Sequence, residues 1–191
     1  MSETDEGLRP EAPSQASVPG WARAVCAGMW ASGSRDVIFV PDNPLSHVLR
    51  AFRDGYPDVR AIPATREEEA VGIAAGLYLG GRLPAVMMQS SGLGNALNAI
   101  CSLLIAYQIP ALLVLSMRGD PGEWNHAQVP LGRAVPHILD AVGIQHVTAG
   151  SPDETEEAVR LAAKLAFETR CPAACLLPRR LTVPVTKRTG V

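Results

Sequence analysis

Short apolar runs alternate along the chain with longer stretches of helical period, and this alternation limits the folds open to it. Periodicity predicts helices over 21–32, 45–54, 66–79, 93–107, 133–142 and 153–168. It predicts strands over 36–41, 59–62, 84–89, 111–117, 145–148 and 172–177. Strands separated by helices are joined by crossovers, so they run parallel with helices on both faces. The expected fold class is α/β: a three-layer αβα domain with a mainly parallel six-stranded sheet. Residues 20–183 are expected to form this domain. Residues 1–19, polar, acidic and proline-rich, and residues 184–191 read as tails. In such sheets ligands bind beyond the carboxyl ends of the strands. The informative loops are therefore those after Val40, Ile62, Gln89 and Met117.

Composition excludes several function classes. Hydrophobic residues make up 47% and charged residues 19%, enough apolar material for a core and too much for wholesale disorder. Lys and Arg (17) against Asp and Glu (19) leave no basic excess to bind nucleic acid by charge. No apolar run approaches the roughly 18 residues of a membrane span. The N-terminal stretch lacks the basic and apolar regions of a secretory leader, so a cytoplasmic protein is expected. Cys26, Cys101, Cys171 and Cys175 read as buried thiols: the Cys171/Cys175 spacing has no second close pair to make a metal site. The four histidines lie on separate elements, and no metal site is expected from this chain.

Three loops concentrate chemistry. After the second strand comes Thr65-Arg66-Glu67-Glu68-Glu69. Thr65 with Glu68 matches a capping box. From Ala70 to Leu79 no charged residue occurs, so this helix is expected to be buried on every side, centrally or against another subunit. Glu67 shares a face with Ala70, Val71 and Ala74, where a carboxylate is partly desolvated and suited to proton exchange. The same three acids equally suit the positive end of a helix. After the third strand, Gln89-Ser90-Ser91-Gly92-Leu93-Gly94-Asn95 reads as a glycine turn opening a helix. It permits close approach of a ligand, and equally serves as a plain strand-to-helix turn. It is neither a P-loop nor a dinucleotide fingerprint.

After the fourth strand lies a long polar loop, 118–132. Arg118 and Arg133 are suited to grip a doubly charged oxyanion through forked hydrogen bonds; a solvated loop with a local Arg–Asp pair is the alternative. His126 has the chemistry of an acid or base, and equally that of a hydrogen-bonding surface group.

Together these loops resemble the pyrimidine-binding (PYR) domain of thiamine-diphosphate enzymes. The resemblance rests on Glu67 followed by Gly76 within TREEEAVGIAAGLYLGG, and it covers about residues 20–180. MMQSSGLGNALNAICSLL and SMRGDPGEWNHAQVPLGRA are similar to the α-subunit family of sulfopyruvate decarboxylases and to the N-terminal half of phosphonopyruvate decarboxylases. Ser90 departs from the Asn expected in those relatives. The Gly-Asp-Gly-Ser motif and downstream Asn of the family's pyrophosphate-binding domain are absent from this chain.

The resemblance implies a thiamine-diphosphate PYR-type fold and a catalytic Glu67 that hydrogen-bonds N1′ of the cofactor's aminopyrimidine. It places Gln89, Ser91, Gly92, Leu93 and Asn95 near the cofactor, and Asp42, Asn43, Arg118 and His126 toward the substrate. It further implies a β subunit that carries the pyrophosphate-binding domain and binds Mg²⁺, in a heterotetramer or a multiple of it. The implied reaction is decarboxylation of a small anionic 2-oxo acid to an aldehyde, 3-sulfopyruvate before phosphonopyruvate. Two other readings remain open: another thiamine-dependent lyase or ligase, and a non-catalytic flavodoxin-like interaction protein.

Overall fold

In the computed structural model, which describes residues 18–183, a single sheet runs in the order β2-β1-β3-β4-β6-β5. Its strands are β1 (Asp36–Phe39), β2 (Arg60–Pro63), β3 (Pro84–Gln89), β4 (Leu112–Ser116), β5 (His146–Thr148) and β6 (Ala173–Leu177). Every pairing is parallel. The six-stranded three-layer expectation therefore holds. β3, β4 and β6 are central and covered on both faces, which is why they read as unbroken apolar runs. β2 is an edge strand, where Pro63 is tolerated because no further strand needs its amide.

Alternate side chains of the central strands feed two cores. Val86, Met88, Leu113 and Leu115 pack beneath α3 (Glu67–Leu79), α4 (Ser90–Ala99) and α5 (Val129–Ala141). Ala85, Met87, Leu112 and Val114 pack beneath α1 (Gly20–Ala31), α2 (Leu45–Gly55) and α6 (Thr155–Thr169). A last short helix, α7 (Arg179–Thr182), follows β6 and was not anticipated. Residues 1–17 and 184–191, where the tails are expected, lie outside the described residues. Val18 and Pro19 belong to the domain instead: Val18 packs on the α1 core and the Pro19 carbonyl accepts the first α1 amides. No described helix is long and apolar enough to cross a membrane.

Two helices begin three or more residues away from their predicted starts. The predicted 93–107 helix begins at Ser90, then widens into π geometry over Ile100–Ile105. α5 begins at Val129 rather than residue 133, with Pro130 in its first turn, where a missing amide costs nothing. α3 is not buried all round. Ala70, Val71, Ala74 and Ala75 face the core, while Gly72, Gly76 and Leu79 lie at the surface. The predicted glycine stop does form: Gly81 adopts φ +80° and Arg82 donates its amide to the Leu77 carbonyl.

At the amino end of the sheet, Asp36 has a side chain only 1% exposed and accepts from Arg60 Nε at 2.6 Å and from Arg82 Nε at 2.5 Å. This clamp joins β1 to β2 and to the link before β3. The two guanidiniums keep contact with water, so the buried carboxylate is the partner that depends on the pairing. Replacing both arginines with alanine is expected to cost about 3 kcal/mol in urea unfolding, because it strands a buried charge. Asp36→Asn is expected to cost less. The reverse ranking refutes this account of the clamp.

Candidate active site

The sheet order reverses between β1 and β3, and the polar loops converge at the carboxyl ends on either side of that point. Asp42, just beyond β1, lies at the centre. Its side chain is 5% exposed. It accepts hydrogen bonds from Gln89 Nε2 at 3.0 Å, Ser116 Oγ at 2.6 Å and Arg118 Nη2 at 2.7 Å. Gln89 closes β3, Ser116 closes β4, and Arg118 opens the loop after β4. A buried carboxylate is tolerated here because it is ion-paired and both of its oxygens accept hydrogen bonds.

The backbone of Arg118 is held against α5. Gly119 adopts φ +85°, and a Cβ added at Gly132 overlaps the Arg118 carbonyl. Arg133 Nε donates to the Gly119 carbonyl at 3.1 Å. Arg133 secures the turn and, together with Arg118, lines a second cavity of about 250 Å³, so the two arginines do share one surface; the aspartate paired with Arg118 is the distant Asp42 rather than a local one.

Glu67 is the first residue of α3, and the extended Arg66 precedes it as N-cap. The capping box predicted from Thr65 and Glu68 does not form. The helix starts one residue later than that box requires, so Glu69 reaches back to the Thr65 amide at 2.7 Å. Glu68 instead pairs with Arg66, whose guanidinium, after a backbone hydrogen bond, holds its carboxyl below the usual range. Glu67 is thereby left to point across to α4. Asn95 Nδ2 donates to Glu67 Oε2 at 3.1 Å, and Oε1 rests on Gly92. A Cβ at Gly92 would lie 2.6 Å from both Cγ and Oε1 of Glu67.

Gly92 thus belongs to the first turn of α4 rather than to a loop, a correction to the predicted glycine turn. Its use is room for Glu67. Ser91 Oγ donates to Gln89 Oε1 at 2.5 Å, so Gln89 links the Glu67 corner to Asp42. Leu93 is fully buried in the core beneath α4, so its side chain lies away from this surface. Glu67 itself is only half-buried in the isolated chain.

On the other side of Asp42 a cavity of about 500 Å³ opens, lined by Asn43, His47, Arg118, Glu123, Trp124 and Arg179 among others. Glu123 is 2% exposed and lies 3.4 Å from Arg179 Nε. Burial, and then the neighbouring Arg50, holds His47 below the usual histidine range. Asn43 reaches this cavity as expected. His126 starts an exposed 3₁₀ turn and is not among the lining residues.

The sequence reading missed Ser116, His47, Glu123 and Arg179. A usable signal existed for Arg179: it follows the last strand directly, in Leu177-Pro178-Arg179-Arg180. That β6 neighbours β4 was the missing knowledge.

The chain matches the family described as thiamine pyrophosphate enzyme, N-terminal TPP binding domain, over residues 21–130. It is 41% identical over 156 residues to the protein named sulfopyruvate decarboxylase subunit alpha of Methanococcus maripaludis, covering 82% of this chain and 93% of that one. The protein of the same name from Methanothermobacter thermautotrophicus is 40% identical, over 82% of this chain and 94% of that one. The phosphonopyruvate decarboxylase of Streptomyces viridochromogenes is 37% identical over 71% of this chain, which spans only 34% of that protein. Among solved structures, the 2-oxoglutarate:ferredoxin oxidoreductase of Magnetococcus marinus superposes with a TM-score of 0.71 at 16% identity. That match covers 85% of this chain and 29% of the other, and at this identity it speaks for the fold.

Gly92→Ala separates the fold from the site. Alanine in a helix is worth up to about 1 kcal/mol over glycine. The variant is expected to melt no lower than the native chain, while its crystal structure shows Glu67 displaced. An undisturbed Glu67 in that structure contradicts the packing described here.

Proposed function

The chain belongs to the thiamine pyrophosphate enzymes that carry the N-terminal TPP binding domain, and on that premise we propose that it is the α chain of a two-chain decarboxylase of 3-sulfopyruvate. The products are sulfoacetaldehyde and carbon dioxide. One observation carries the reading: Glu67 stands at a helix start, held by Asn95 and seated on Gly92, in a chain that covers nearly all of its α-subunit relatives.

The residues present fit thiamine diphosphate at its pyrimidine end. Asn95 occupies one oxygen of Glu67, and the missing side chain at Gly92 leaves the carboxylate its seat. Bound, the cofactor supplies an electron sink for the pair released as carbon dioxide leaves. Glu67 holds and returns a proton at its carboxylate oxygen, toward N1′ of the aminopyrimidine. Asn95 fixes the orientation of that carboxylate. Gln89 and Ser91 would hold the surface between Glu67 and Asp42, which already accepts from three donors. Asn43 and Arg118 face the substrate cavity; His126 does not line it.

The other half of the site belongs to a partner. Glu67 is half-buried here, whereas proton exchange with a bound ring favours exclusion of water. A β chain bearing the pyrophosphate-binding domain supplies that cover, together with Mg²⁺. The surface glycines of α3, Gly72 and Gly76, allow close approach of its backbone. A heterotetramer, or a multiple of it, follows if each cofactor lies between one α and one β chain. Phosphonopyruvate is the second reading, favoured by the 37% identity to a phosphonopyruvate decarboxylase.

The test is co-expression with a β chain carrying the pyrophosphate-binding motif, followed by aldehyde detection with sulfopyruvate. Glu67→Gln is expected to lower kcat on the order of 10²–10⁴-fold while the two chains still co-purify. Near-native turnover by that variant with cofactor bound removes Glu67 from the mechanism.

A further inference from the structure

Two arginines line the 500 Å³ cavity, and they are not equivalent. Arg118 is paired with Asp42 at 2.7 Å. Arg179 meets Glu123 at 3.4 Å, and among the described residues both Arg179 Nε and Glu123 Oε2 are buried with no hydrogen-bond partner. Arg118 Nε is likewise buried and has no partner among the described residues. Both arginine side chains line the same cavity and stay partly exposed, 12% for Arg118 and 19% for Arg179, so their guanidinium donors not turned toward Asp42 or Glu123 suit an acceptor with several oxygens.

The charge count is equally informative. Arg118 is matched by Asp42 and Arg179 by Glu123, and Asp120 accepts the Arg179 amide at 2.8 Å. His47, held below its usual range, adds no cation at neutral pH. Each guanidinium that lines the cavity is therefore matched by a carboxylate, and the further cation nearby, Arg50, lies beside His47. A sulfonate is a single anion across the neutral range. A phosphonate carries close to two charges there, as phosphate esters do.

Resting on the decarboxylase reading above, we propose that Arg179 binds the terminal oxyanion of the substrate and that Glu123 makes the site select a singly charged group over a doubly charged one. Arg179 supplies hydrogen bonds to a sulfonate. Glu123 tempers its charge, so that a second negative charge on the ligand meets a carboxylate rather than an unpaired cation. Arg118, engaged with Asp42, contributes its remaining donor. Arg118 and Arg133, not Arg179, are the arginines that suggest themselves from the sequence, because Arg179 follows β6 while Glu123 lies in the loop after β4.

The test uses the co-expressed two-chain enzyme. The native complex is expected to prefer 3-sulfopyruvate to phosphonopyruvate in kcat/KM. Glu123→Gln is expected to shrink that ratio at least tenfold, chiefly through a lower KM for phosphonopyruvate. Arg179→Met is expected to raise KM for both substrates at least tenfold, with a smaller effect on kcat. Should either variant fail to assemble, the native complex answers the same question. Lowering the pH from about 8 to about 6 converts phosphonopyruvate toward its monoanion and is expected to lower its KM relative to that of sulfopyruvate. A native preference for phosphonopyruvate, an unchanged ratio in an assembled Glu123→Gln complex, or parallel KM profiles with pH overturns the inference and leaves the decarboxylase reading standing. No turnover of either substrate by the native complex overturns that reading itself.

Discussion

Asp42 ties the ends of three strands to one buried carboxylate. Gln89 at the end of β3, and Ser116 and Arg118 at the end of β4, all donate to a residue that follows β1. A charge this deep requires all of its donors, so the loops that supply them have little freedom. The Glu67 corner is connected to it through Ser91 and Gln89, and the arginine cavity through Arg118. The two functional surfaces therefore keep a fixed relation because they share this anchor. The Asp36 clamp at the opposite end fixes the strands' starts in the same way. The sheet is pinned by a paired carboxylate at each end.

The strands were legible because parallel strands buried on both faces appear as continuous apolar runs, as in Pro84–Gln89 and Leu112–Ser116. Helix starts were less so. Gly92 and Gly94 read as a turn, yet they lie within α4, where the glycines make room for Glu67 and for the Leu131 side chain. The reason for those glycines is tertiary, and spacing does not reveal it. Pro130 and Gly132 likewise read as loop residues, although both lie within α5, Pro130 in its first turn.

The candidate site divided along the same line. Glu67, Gln89 and Arg118 stood out at the ends of predicted strands, whereas Asp42 and Asn43 came in through the family resemblance. What they bind was not evident. Asp42 meets Arg118 because β1, β3 and β4 are neighbours, and Arg179 joins them because β6 lies beside β4. Strand order decides both, and no local pattern encodes it. Arg133 shows the converse. Its residue type suited an anion site, but Gly132 lies against the Arg118 backbone and turns Arg133 toward the Gly119 carbonyl.

The contact between Gly92 and Glu67 also constrains how such a chain can change over generations. The two positions are coupled by size: the glutamate fills the volume that any side chain at 92 would need. While the carboxylate is in use, a first substitution at 92 displaces it, so that route passes through a damaged ancestor. Once the carboxylate is lost, the glycine is released. Lineages that abandon this proton chemistry should therefore lose the glutamate first and the glycine afterwards. The order of those two losses among descendants would be a historical record of when the active site fell silent.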